Sequence, residues 1–206
     1  RGFPAGTAAD LSPGCGKAIF LTGFFNPRYN GACKGVCEMF RDLARMTASL
    51  KGARYEGALI GRAVWQRRRG RAGDGLHILR DHHGLLEVVA ADDSGELRLT
   101  MLLGRRAPQK GEATRRAGRP LQILAEGVPD EIQLSFCFSA EEVHAFVEDV
   151  GDTNPLHAGD APLVPGLEIL EASLSREEIC RAARVELRFH GASFAGEMVL
   201  VQVRSL

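Results

Sequence analysis

The spacing of apolar residues switches from a helical to a strand-like period twice along this chain. In "ACKGVCEMFRDLARMTASLKG" (32–52), Val36, Met39, Phe40, Leu43, Met46 and Leu50 recur three and four residues apart. That spacing predicts one amphipathic helix of about five turns, which Gly52 can stop. Four short apolar runs follow, at 53–65, 75–81, 84–91 and 96–103, separated by "RAGDG", "HHG" and "ADDSG". Runs of that length with Gly, Asp and Ser between them predict strands joined as hairpins. Ahead of the helix, "KAIFLT" (17–22) reads as a strand, followed by the turn signals Asn26-Pro27 and Asn30-Gly31. One long helix with a run of strands can bury its apolar stripe by wrapping a sheet on it.

The order then returns. "EIQLSFCF" (131–138) alternates like a strand. In "SAEEVHAFVEDVG", Ser139 and Glu142 stand at capping-box spacing, Val143, Phe146, Val147 and Val150 share a face, and Gly151 is a stop. A second helical run is expected from Gly166 to about Ala183, then strands at 184–191 and 197–204. Between the two copies, 104–120 is polar, basic and poor in large apolar side chains, as linkers are. The expectation is an α+β chain in three parts: an N-terminal repeat at 1–104, a basic linker at 105–130 and a C-terminal repeat at 131–206 with fewer strands.

At 206 residues and 45% hydrophobic content, the chain can bury the core of one large domain or two small ones. The formal net charge is zero but unevenly spread. From Glu131 onward, five Arg and no Lys face 13 Asp and Glu, leaving 21 basic against 13 acidic residues before it. Such a split suits two units with different surfaces, facing each other or an anionic ligand. No apolar run approaches the roughly 18 to 20 residues of a membrane span, and the first residues lack a signal-peptide core. The expectation is a cytoplasmic protein without a membrane partner. The five Cys, with Cys33 and Cys37 spaced C-x3-C, match neither a zinc ribbon nor a redox C-x-x-C and read as reduced, mostly buried thiols.

The densest signal is "EDVGDTNPLHAGDAPLVPGLEIL" (148–170). Asp152 and His157 lie five residues apart on a segment that Pro155 keeps from continuing as helix. A carboxylate and an imidazole so placed can converge on one water, one accepting its proton while the other holds or returns one. Pro165 and Gly166 open the next helix, whose first N–H groups could polarise a carbonyl. The alternative is ordinary turn chemistry, with the Asp and Asn side chains bonded to nearby backbone and His157 satisfied in the core.

"FSAEEVHAFVEDVGDTNPLHAGDAPLVPGLEIL" followed by "ARVELRFHGASFAGEMVLVQV" resembles the MaoC-like dehydratases, the (R)-specific enoyl-CoA hydratases of the hotdog fold. The residues carrying the resemblance include Phe138, Glu142, Phe146, Gly151, Asp152, Asn154, Pro155, His157 and Gly166, with Phe189, Phe194, Gly196 and Glu197 beyond. It implies a double hotdog, an antiparallel sheet wrapped around a long central helix twice, with the N-terminal repeat non-catalytic. The chain shows about two strands after the second helical run, so the N-terminal repeat or a second subunit, as in a homodimer, would complete the sheet. By that resemblance Asp152 and His157 activate the water that adds to C3 of a trans-2-enoyl thioester. Asn154 braces their loop, and the Gly166 N–H helps hold the thioester oxygen. The reaction is that of a lyase in fatty acid metabolism, adding water to or removing it from an acyl-CoA or acyl-carrier-protein thioester, with no metal or other cofactor. Two further readings stand beside it: a hotdog protein that binds acyl-CoA or acyl-carrier protein without turnover, and a thioesterase using Glu168 or Glu171.

Arg67, Arg68 and Arg69 could meet the phosphates of such a ligand. Nucleic acid is not expected, because the charge balances and no recognition motif is present. "DHHG" (81–84) is expected to be a hairpin turn, since adjacent His side chains on a strand point to opposite faces.

Overall fold

The computed structural model describes residues 31–67, 73–109, 120–129 and 132–206. "KAIFLT", Asn26-Pro27, Arg68, Arg69 and most of the basic stretch lie outside the described residues. Helix α1 (Gly31–Ala48) turns Val36, Phe40, Leu43 and Ala44 into the core, as the spacing predicts. Strands β1 (Leu59–Arg67), β2 (Gly75–His82), β3 (Leu85–Ala91) and β4 (Gly95–Leu102) follow. The β2–β3 connection turns at His83 and Gly84, both left-handed at φ 48° and 75°, the backbone a two-residue hairpin needs. In the β3–β4 turn, Asp92 Oδ1 accepts the N–H groups of Ser94 and Gly95.

One element differs from expectation here. The run at 53–65 becomes a strand only from Leu59, because residues 52–58 coil into turns between Gly52 (φ 121°) and Gly57 (φ 71°). Within them the Tyr55 N–H donates to Gly52 O and the Ala58 N–H to Tyr55 O.

The second part contains β5 (Leu121–Ala125), β6 (Ile132–Cys137), α2 (Ala140–Val150), α3 (Gly166–Leu174), α4 (Glu177–Cys180), β7 (Arg184–Arg188) and β8 (Met198–Ser205). Ser139 and Glu142 form the expected capping box on α2. Strand β5 corrects the reading of 105–130 as linker throughout. Leu121, Ile123 and Ala125 are buried in alternation, and β5 lies between β7 and β8, antiparallel to the first and parallel to the second. The sheet next to β8 is therefore completed from within the chain, by a segment preceding the second helix. The run expected as one helix to about Ala183 breaks after α3. The Ser173 and Ser175 hydroxyls donate back to Ile169 O and Ala172 O, and Arg176 is extended at φ −80°, ψ 134°.

Among the described residues, eight strands form one sheet in the order β2-β3-β4-β1-β7-β5-β8-β6, and only the β5–β8 pair is parallel. The pairing of β1 with β7 joins the two parts. Alternate side chains of the strands other than β2, Trp65, Leu99, Ile123, Leu187 and Val201 among them, enter a single core with the buried faces of α1, α2 and α3. Each large apolar side chain buried there contributes about 2 kcal/mol. The chain is thus α+β, with helices on one face of a largely antiparallel sheet. On the opposite face, across from Val64, Glu186 is closed in by Arg62, Arg184 and Arg188. Hydrogen bonding to Arg62 is the main reason its carboxyl is held down at about 2.

Candidate functional site

The site begins where α2 ends. Gly151 takes a left-handed φ of 72°, its N–H donates to Glu148 O, and the Asp152 N–H donates to Val147 O, closing the helix in a Schellman motif. Asp152 leaves this cap with its Oδ1 accepting the Asn154 N–H at 2.9 Å. Pro155–His157 then makes one 3₁₀ turn, started by Asn154, whose Oδ1 accepts the Leu156 N–H. Local turn chemistry fixes this backbone, and it also brings the His157 Nε2 to 3.7 Å from Asp152 Oδ2. The two readings of the motif are therefore compatible.

The other imidazole nitrogen sets the tautomer. Nδ1 lies 2.7 Å from Leu163 O, an acceptor, so neutral His157 carries its proton there and presents a bare lone pair at Nε2. Burial pushes His157 below the usual histidine range, with the Asp152 charge and the Leu163 carbonyl pulling the other way. His157 is only 8% exposed against 29% for Asp152, so the imidazole is shielded while the carboxylate reaches solvent.

Both residues line a cavity of about 720 Å³, and Asn154, Pro165 and Gly166 line it with them. The start of α3 is positioned from the β7–β8 connection: Val164 N–H donates to Ser193 O, Ala195 N–H to Pro162 O, and Leu163 bridges Phe194. Glu197 accepts the Phe194 N–H, and Gly196, at φ 82°, donates to Phe138 O. Gly166 has no room for a side chain, since a Cβ there would stand 2.8 Å from Cζ of Phe189.

Much of the remaining wall comes from the first part of the chain, including Ala44 and Thr47 of α1, Tyr55 of the 52–58 turns and Leu99 and Met101 of β4. Asn154 ties that part to the motif: its Nδ2 donates to Ala58 O at 2.9 Å and its Oδ1 accepts the Gly57 N–H at 3.2 Å. Sequence reasoning passed over Tyr55. Its signal was an aromatic bracketed by Gly52 and Gly57 in a run taken for strand.

Arg67 does not line the cavity. Its guanidinium donates to Cys180 O at 3.0 Å and lies 5.7 Å from the Trp65 ring centre. Glu168 and Glu171 lie outside it too: Arg41 holds Glu171 through Nε at 2.5 Å and Nη2 at 3.2 Å. Among the described residues, no three His, Cys, Asp or Glu side chains gather as a metal site requires, and no helix is long and apolar enough to cross a membrane.

No protein-family model matches the sequence, and no curated protein does. Among solved structures, HtdX of Mycobacterium tuberculosis is similar to 85% of this chain over 76% of its own, at 14% identity and a TM-score of 0.44. That likeness is too loose to carry a fold or a function across.

Proposed function

We propose that the chain is a hotdog-fold hydro-lyase, doubled as its repeated element order suggests, that adds water to a trans-2-enoyl thioester or removes it from the 3-hydroxyacyl product. The observation that carries this reading is the 2.7 Å contact of His157 Nδ1 with Leu163 O, which assigns the tautomer. With Nδ1–H committed to Leu163 O, the Nε2 lone pair and the Asp152 carboxylate are two acceptors 3.7 Å apart on one cavity wall. A water donating one hydrogen to each fits between them. Its oxygen adds to C3, one proton passes to the pair, and a proton is returned to C2, so the elements of water end up across the double bond. Burial supports the step by keeping His157 in its neutral, basic form.

The charge that develops on the thioester oxygen would meet the start of α3, where the Gly166 N–H belongs to the first turn and has no partner within the helix. The apolar wall suits an acyl chain, and the thioester carrier is CoA or an acyl-carrier protein in the cytoplasm. Glu168 and Glu171 stand away from this cavity, which argues against the thioesterase reading.

The experiment is the decay of enoyl-thioester absorbance with crotonyl-CoA and a longer 2-enoyl-CoA, run beside Asp152→Asn. Turnover should fall by about 10²–10⁴-fold in the variant, the worth of a positioned acid–base group. Full activity in Asp152→Asn would sink the mechanism. Ligand binding without turnover in the unaltered protein would leave the non-catalytic acyl-thioester binder as the reading.

A further inference from the structure

Tyr55 enters this cavity from the part of the chain that lacks the Asp–His motif. That part puts four polar side chains into the wall: Thr47, Lys51, Tyr55 and Glu56. Thr47 donates its hydroxyl to Ala44 O at 2.8 Å and is buried. Lys51 and Glu56 stand exposed, where water competes for them. Tyr55 alone of the four is half-buried, packed against the core, and no hydrogen bond takes up its hydroxyl among the described residues.

Its backbone is also fixed relative to the acid–base pair. The Tyr55 N–H and C=O are bonded to Gly52 and Ala58, Gly57 and Ala58 are bonded to the Asn154 side chain, and the Asn154 N–H is bonded to Asp152. Two residues, Ala58 and Asn154, thus connect Tyr55 to the Asp152 carboxylate through three hydrogen bonds. A half-buried phenol in the wall of a ligand cavity can exchange water for an acceptor on the ligand. Holding that donor in place beforehand removes the ordering cost that a mobile side chain would incur on binding.

We infer that Tyr55 is a substrate-binding residue, contributed by the N-terminal part and held by Asn154, whose O–H donates to the polar thioester end of the bound acyl chain. The inference rests on the acyl-thioester reading of the cavity, though not on turnover.

The test uses the full chain as wild type, Tyr55→Phe and Tyr55→Ala, with two readouts. One is kcat/KM for 2-enoyl-CoA hydration. The other is the rise in melting temperature caused by butyryl-CoA and octanoyl-CoA, saturated thioesters that cannot be hydrated. Tyr55→Phe keeps the ring and should melt like wild type without ligand. It should lower kcat/KM about fivefold and weaken saturated acyl-CoA binding by a similar factor, the scale of one neutral hydrogen bond. Tyr55→Ala should lose more of both. A Tyr55→Phe protein equal to wild type in both readouts overturns the inference, even where Asp152→Asn has confirmed the hydratase. Binding that weakens in Tyr55→Phe while wild type shows no turnover supports the inference and removes the hydratase instead. Absence of both turnover and acyl-CoA binding in wild type removes both.

Discussion

Two loops line the cavity and touch through Asn154, and each follows a helix that packs on the same sheet. After α1 the chain coils through Gly52, Tyr55 and Gly57; after α2 it passes through Gly151, Asp152, Asn154 and His157. Both contain left-handed glycines, Gly52 at φ 121° beyond the end of α1 and Gly151 at φ 72° directly after α2, but only the second places a carboxylate beside an imidazole in the cavity wall. The first contributes Lys51, Tyr55 and Glu56 to the wall and no imidazole. A cavity between two similar loops thus carries a single Asp–His pair, and what the first loop does reaches the chemistry through Asn154.

The sharpest way to break that asymmetry, after Asp152→Asn, is at the start of α3. Gly166→Ala puts a methyl group 2.8 Å from Cζ of Phe189, so the ring must turn or the helix start must retreat. A displacement of about 1 Å at that point should cost on the order of 10²-fold in turnover, while the rest of the core keeps its packing. Steady-state kinetics with crotonyl-CoA check it, and unchanged kcat would mean that the first turn of α3 does not hold the thioester oxygen.

Asn154→Ala tests the connection between the loops. It leaves Ala58 O and the Gly57 N–H without their partner and removes the side-chain acceptor of Leu156 N–H, which should cost about 1–3 kcal/mol of stability. Activity should drop about tenfold as the Asp152 turn loosens. Urea unfolding and kinetics on one preparation separate the two effects. If stability falls and kcat stays, the brace serves the fold alone.

How much of this was legible depends on how far each interaction reaches along the chain. The helical stripe of α1, the capping box of Ser139 and Glu142, and the hairpin at His83 and Gly84 are set by neighbours within a few positions, and the sequence shows them. So is the Asp152–His157 loop, whose Asx-type bond spans two residues. Strand β5 was hidden because a five-residue segment beside a basic stretch has no local partner; its neighbours β7 and β8 lie about 60 and 80 positions away. The Asn154–Gly57 bond spans 97 positions, so nothing near "ARYEG" hinted at a cavity wall. Arg67 misled for the complementary reason: a charge run looks solvated or ligand-facing until a distant carbonyl, that of Cys180, takes up the guanidinium.

The smallest effect concerns how α1 serves the buried carboxylates of α3. Arg41 of α1 grips Glu171, but among the described residues Glu168 Oε2 has no hydrogen-bond partner. Burial, then the charges of Glu142 and Glu171, push the Glu168 carboxyl up to about 8, with Arg41 opposing. An unfolded glutamate releases its proton at the ordinary 4.5, so between 4.5 and about 8 the folded chain holds one more proton than the unfolded one. Stability from this group is full below 4.5 and is lost as pH rises through about 8. Glu168→Gln keeps a neutral side chain at every pH. It should therefore match wild type near pH 5 and exceed it at pH 8 by about 2 kcal/mol, a discounted share of the 1.36 kcal/mol per unit that the linkage allows. Urea unfolding of both proteins from pH 5 to 8 reads the difference directly. His157 and Glu171, also shifted by burial, titrate in both proteins and cancel, and Glu186 is ionised throughout that range. Parallel stability curves over that window would show that Glu168 has a partner for its charge, and that α1 serves both carboxylates of α3 alike.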